Sequence, residues 1–135
     1  AITDNREIVL ERVFRVTLNA WVIELPAGCN DKAGENPQEV AQRELREETG
    51  YVVSSTEFLM EIADAPGVTD QRTMLYLGTG ATKRHELALD DSEIIETILV
   101  PLDEMFSYLM QQSDICDPKV WIAIGFLYQR KLIAQ

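Results

Sequence analysis

The sequence predicts an α+β fold in a single domain spanning residues 1–135. Three observations predict it. Five stretches carry strand patterning (7–15, 20–25, 56–62, 72–79 and 94–102), one central stretch at 37–49 carries helical periodicity with its own start and stop signals, and two further helical stretches close the chain at 103–112 and 117–131. At 135 residues and 46% hydrophobic composition the chain has enough material for one substantial core and no room for a second.

The elements follow in order. Residues 7–15, EIVLERVFR, interleave β-branched and aromatic residues with polar ones, and 20–25, AWVIEL, repeat the pattern, with Leu18 and Asn19 in the turn between them. Residues 24–51, ELPAGCNDKAGENPQEVAQRELREETGY, then read as strand end, loop, helix and stop. Asn36 suits the N-cap, Pro37 the first helical position, and Glu39 falls three residues after the cap as in a capping box, while Gly50 supplies the exit. At about 100° per residue, Ala41 and Leu45 share a stripe, with Glu44 and Glu48 within roughly 60° of it and Glu47 just beyond. Three carboxylates therefore occupy one edge of the buried face, and Arg43 lies one turn from both Glu39 and Glu47.

Beyond this helix, 56–62 reads as a strand, Pro66-Gly67 marks a turn in the loop 63–70, and 72–79 is the next strand. The polar stretch 83–91 is a loop; Asp90, Asp91 and Glu93 precede the strand 94–102, and by composition alone are a solvated acidic loop. Asp117-Pro118 opens the last helix as cap and first position, and Val120, Ile122, Ala123, Phe126 and Leu127 give it an apolar face that packs into the core. No internal repeat or low-complexity segment interrupts the chain.

Charge and composition narrow the chemistry. A net charge of −11, from 12 basic against 23 acidic residues, excludes nucleic acid and anionic membrane as partners, since both demand a basic surface, and it suits cation binding. Cys29 and Cys116 belong to no CxxC or Cys/His metal spacing. A single histidine, His85, read as a surface loop residue, disfavours His-based triads and zinc sites, which leaves carboxylates as the useful groups. With no signal-peptide pattern and no apolar run of about 18 residues, the expected location is cytoplasmic.

The run RELREE alone would be an ordinary charged helix face. At the rim of a core, however, desolvation makes such a cluster costly, and a divalent cation relieves it; hard oxygen ligands favour Mg²⁺, Mn²⁺ or Ca²⁺. The flanking residues decide between these readings. Glu35, seven intervening residues, and then Arg43-Glu44-Leu45-Arg46-Glu47-Glu48-Thr49-Gly50-Tyr51 resemble the Nudix hydrolase box, and Glu24-Leu25-Pro26-Ala27-Gly28 resembles the ELPAG segment of its ADP-ribose pyrophosphatase branch. In one place the chain departs from the pattern: Gly28 stands seven before Glu35, and Cys29 occupies the position six before it where the family has Gly, which reads as a one-residue loop insertion.

The resemblance implies a mixed β-sheet sandwiched between α-helices, and hydrolysis of a nucleoside diphosphate linked to another moiety, ADP-ribose to AMP and ribose 5-phosphate. It implies Mg²⁺, with Mn²⁺ as the alternative, held by Glu44 and Glu48 as principal ligands, Glu47 as a third or water-mediated one, and the Ala27 carbonyl. Glu44 and Glu48 are thereby catalytic, and Glu93, in a loop acid position, is the candidate general base. Arg12 and Arg15 resemble the strand arginines that hold substrate phosphate, although Val13 stands where that motif has Gln, and Glu24 joins them as a substrate-binding candidate. Pro66 resembles the downstream proline that marks the branch, while Arg43 and Glu35 are expected to fix loop and helix. The expected partner is a small-molecule nucleotide, in a homodimer. Members of that branch usually carry additional N-terminal strands that help dimerise the protein and stack the adenine, and the sequence starts too late to hold them; the expectation is either a clamp built differently or a shortened form of the sequence, and base recognition has no assigned residue. Two alternatives stay open: another nucleotide sugar or a nucleoside triphosphate as substrate, and a non-catalytic nucleotide-binding module, against which the retained carboxylates argue.

Overall fold

A computed structural model of the chain describes residues 1–30, 34–90 and 93–133; Asp91 and part of the loop between Gly28 and Glu35 lie outside them. The described elements are β1 (Ile2–Thr3), β2 (Glu7–Arg15), β3 (Ala20–Glu24), α1 (Pro37–Thr49), β4 (Tyr51–Val52), β5 (Ser55–Ala63), β6 (Arg72–Lys83), β7 (Ile95–Pro101), a 3₁₀ turn (Leu102–Glu104), α2 (Met105–Gln111), β8 (Ile115–Cys116) and α3 (Pro118–Gln129).

The architecture is built on β2. β7 runs antiparallel along it from Glu7 to Val13, β3 pairs antiparallel with its second half from Glu11 to Arg15, and β1 pairs with it at Ile8. Parallel pairings of β1 with β6 and of β3 with β8 make the sheet mixed. With partners on both edges and layers on both faces, β2 is buried from Ile8 to Glu11, where a surface strand would alternate. Ile8 and Leu10 face a core shared with Met105 and Leu109 of α2 and Val120 and Leu127 of α3. Val9 faces the other way, onto Leu45 of α1, Tyr51 and Ala81. The sheet therefore lies between α1 on one face and α2 with α3 on the other, as expected for the sandwich.

The ends of α1 form as its residues dictate. Asn36 is extended (φ −73°, ψ 124°), and its Oδ1 accepts a hydrogen bond from the Gln38 N–H at 3.0 Å. Gly50 closes the helix in the left-handed region (φ 76°), its N–H donating to the Arg46 carbonyl. The capping is one-sided: among the described residues Glu39 contributes its backbone N–H to the Asn36 carbonyl, and no bond from its carboxylate returns to the cap.

Elsewhere the structure departs from the expected boundaries. β6 runs four residues beyond the expected 72–79, because its extension is paired by β1 at Thr79 and Ala81 and by β4 at Thr82 and Lys83, and Gly80 (φ 64°) takes up the irregularity. The helix expected over 103–112 divides into the 3₁₀ turn and α2. The two-residue strands β1, β4 and β8 were not expected. The last helix starts as anticipated, with the Asp117 carboxylate accepting from the Lys119 N–H at 2.7 Å. Among the described residues no helix is long and apolar enough to cross a membrane.

Candidate active site

α1 turns its acidic edge towards the loop that leaves β3. Glu48, on the helix face that also buries Val40, Leu45 and Thr49, is 7% exposed. Its Oε2 accepts a hydrogen bond from the Ala27 N–H at 3.1 Å, so that loop and helix meet at the carboxylate. Gly28 lies against Glu44 so closely that an added Cβ would overlap the carboxyl group. Gly28 therefore fits the role of the glycine in the pattern, while Cys29, at the expected spacing, is exposed. Arg43 pairs with Glu44 at 2.8 Å, Glu47 at 3.2 Å and Glu35 at 3.5 Å, tying helix to loop as expected; of its two sequence-suggested partners it takes Glu47 and not Glu39.

Burial and mutual repulsion shape the electrostatics. Desolvation pushes the Glu48 carboxyl up to about 7, with the neighbouring charges of Glu44 and Glu93 adding to the rise and the Ala27 N–H opposing it. Glu44 is also raised, first by burial and against the pull of Arg43. The largest effect falls on Glu11 of β2, absent from the sequence-derived candidates: buried at 2% exposure and within hydrogen-bonding reach of Glu48, it is pushed up to about 9, chiefly by desolvation and then by Glu48. Among the described residues its Oε1 has no hydrogen-bond partner. Glu11 lies two residues beyond Val9, on the face that α1 covers, and that period of two is the signal by which it could have been found.

The remaining candidates separate into two groups. Arg15 lies near the acids, gripping Glu24 through two hydrogen bonds of 2.7 and 2.6 Å, and both act electrostatically on Glu11. Glu93 is close enough to raise Glu44 and Glu48; its own Oε2 accepts from the Asp90 N–H at 2.8 Å. Arg12, one residue out of step with Glu11, is engaged elsewhere, with Asp114 at 2.6 Å, Glu96 at 3.1 Å and the Trp21 ring at 4.1 Å. The structure does not bring it to the acidic edge. The 63–70 loop turns through the Val68 N–H bonding the Ala65 carbonyl, and His85 is an exposed loop residue as expected. An apolar cleft opens beside Ala27, lined by Leu25, Pro26, Ala41, Met74 and Tyr76 among others.

Among the described residues no three acidic, His or Cys side chains stand close enough to enclose an ion. The carboxylates line an edge. That arrangement suits a hard divalent cation that takes one or two carboxylates and keeps several waters. The donor set is all hard oxygen, and the orphaned Glu11 Oε1 and the raised carboxyls are what an uncompensated cation site shows, so the residues present fit a divalent metal.

Comparison with known proteins agrees. The model of the NUDIX domain family matches residues 1–119. The chain is 38% identical over 128 residues to a methanol dehydrogenase activator of Bacillus methanolicus, covering 94% of this chain and 68% of that protein. It is 31% identical over 134 residues to an ADP-ribose pyrophosphatase of Bacillus subtilis, covering 98% and 71%. A Mycobacterium tuberculosis ADP-ribose pyrophosphatase is 42% identical over 80 residues, which are 59% of this chain and 39% of that one. A crystal structure of an ADP compounds hydrolase superposes with a TM-score of 0.79 over 97% of this chain and 68% of that one, and at 24% identity it establishes the fold. By the span of the family match and by these relatives, the chain belongs to the NUDIX domain family and is one of its pyrophosphohydrolases.

Proposed function

We propose that the chain is a divalent-metal-dependent hydrolase whose substrate is ADP-ribose, which it cleaves with one water to AMP and ribose 5-phosphate. The observation that carries this reading is the seating of the acidic edge of α1 on the 24–28 loop, through the Ala27 N–H on Glu48 and Gly28 on Glu44. The likeness over almost the whole chain to the Bacillus subtilis ADP-ribose pyrophosphatase supports the choice of substrate.

In this reading Glu44 and Glu48 hold Mg²⁺, or Mn²⁺ in its place, with Glu47 and the Ala27 carbonyl completing the protein's share. When bound, the ion supplies charge neutralisation on the pyrophosphate and a water acidic enough to attack it. Glu93, whose Oε2 accepts the Asp90 N–H and so fixes the carboxylate, would accept the proton of the attacking water. Arg15 offers phosphate a planar two-pronged donor, already held in a fixed orientation by Glu24. The cleft beside Ala27 gives the nucleoside an apolar surface. Arg12 serves the fold, tying β2 to Asp114 and Glu96.

A second reading rests on the 38% identity to the Bacillus methanolicus protein, which is named for activating another enzyme. In that reading the same site cleaves a different nucleotide-linked substrate. A panel of ADP-ribose, nucleotide sugars, dinucleotides and nucleoside triphosphates with Mg²⁺, scored by released phosphomonoester, separates the two. ADP-ribose is expected to give the highest kcat/KM, and Glu48→Gln to lower it by more than about a hundredfold. Preferential cleavage of any other member overturns the ADP-ribose assignment, and equal rates for wild type and Glu48→Gln overturn the metal-edge mechanism.

A further inference from the structure

One buried acid at the site has no part in the mechanism above. Alternate residues of β2 face opposite layers: Ile8 and Leu10 join the core beneath α2 and α3, and Val9 packs under α1 with Leu45 and Tyr51. The next residue on the α1 face is Glu11, 2% exposed, between the buried aliphatic side chains of Val9 and Val13, while the charged residues Glu7 and Arg15 stand at the ends of that face. The backbone ladders to β3 and β7 hold this part of β2 in the sheet, so nothing in the pairing calls for a polar side chain here. Burying a carboxyl in such a slot is far more costly than burying an aliphatic group, above all when one oxygen is left without a partner, as Glu11 Oε1 is. Glu11 shares the face of β2 whose Val9 packs on Leu45 of α1, and the charged groups that act on it are Glu48, Glu24 and Arg15, so it faces the acidic edge of α1 from the sheet side.

We propose that Glu11 is a further ligand of the divalent cation, direct or through one water, closing from the floor of the sheet the site that Glu44, Glu47 and Glu48 line from the helix. The inference rests on the metal-dependent reading above. It gives the orphaned oxygen a partner, and it explains a fully buried acid between Val9 and Val13 beside Glu48. It also places one ligand on the strand that is most completely enclosed, so that the cation is held between two rigid elements.

The test is Mn²⁺ binding by the full chain, followed by the paramagnetic resonance signal of free Mn²⁺, together with thermal melts in EDTA and in excess Mg²⁺. Glu11→Gln keeps a group that can hydrogen-bond Glu48 but removes the charge; Glu11→Leu fills the slot with carbon. Both are expected to weaken Mn²⁺ binding about 10–100-fold and to shrink the rise in Tm that Mg²⁺ produces, while Glu11→Leu melts in EDTA no lower than wild type. Wild-type Mn²⁺ affinity in Glu11→Gln overturns the assignment and leaves Glu11 a structural neighbour of Glu48. Glu11→Gln, being nearly isosteric, decides the matter even where Glu11→Leu fails to fold. If the wild type takes up no Mn²⁺ and is indistinguishable from Glu48→Gln, the metal reading itself falls, and the inference with it.

Discussion

Gly28 lets the loop backbone lie directly against the Glu44 carboxyl, and it does so without a left-handed φ, so an added methyl there meets the acid without straining the backbone. Gly28→Ala is therefore expected to fold with a Tm near wild type and to displace Glu44, lowering kcat/KM by about a hundredfold, as a misplacement of about 1 Å at a reacting centre does. Paired thermal melts and kinetics check this; unchanged kinetics would show that the overlap is relieved at no cost. The sequence made Glu44, Glu47 and Glu48 legible because helical periodicity puts them on one edge. The engagement of Arg12 was not legible, because its partner Asp114 lies about a hundred positions away in sequence, and no local pattern announces such a pairing. Glu11 was hidden by its neighbours: in EIVLERVFR it looks like a polar residue of an alternating strand, and only the covering of both faces of β2 reveals it as buried.

At the level of elements, the long, strongly signalled segments formed where their caps and periods placed them, and the short ones did not announce themselves. β1, β4 and β8 are two residues each, too brief for a period of two to be visible, and are defined by the strands they join. The expected strand ended at Thr79, yet β6 continues through Gly80 to Lys83; Val53 and Ser54 stand where side chains at Gly78 and Gly80 would go. Gly50 is the most exacting of these positions. Its φ of 76° disfavours any L side chain, and a Cβ there would run into the His85 carbonyl. Gly50→Ala is expected to destabilise the fold by about 1–2 kcal/mol or more, seen as a lower urea midpoint at unchanged slope. A midpoint equal to wild type would mean that the loop at His85 yields freely.

For the molecule as a whole, stability should follow pH through the paired acids. Glu11 and Glu48 have folded values of about 9 and about 7, both above the ordinary 4.5. Between about 4.5 and about 9 the unfolded chain therefore binds fewer protons than the folded one, and stability falls as pH rises through that window. Melts in EDTA should show Tm dropping from about pH 5 to about pH 9, with Mg²⁺ restoring it most at the alkaline end. Because a net charge of −11 adds a general repulsion, the informative comparison is with Glu11→Leu, whose profile should be flatter than that of wild type. Parallel profiles would remove Glu11 as the origin.

The backbone beyond β6 is fastened to the end of α1: the Arg84 and His85 N–H groups both donate to the Gly50 carbonyl, and the Ala88 N–H donates to that of Glu47. These three bonds fasten the segment 84–88 to the end of α1 at the very turn that carries Glu47, so a displacement of that segment is felt directly in the backbone of the acid-bearing turn.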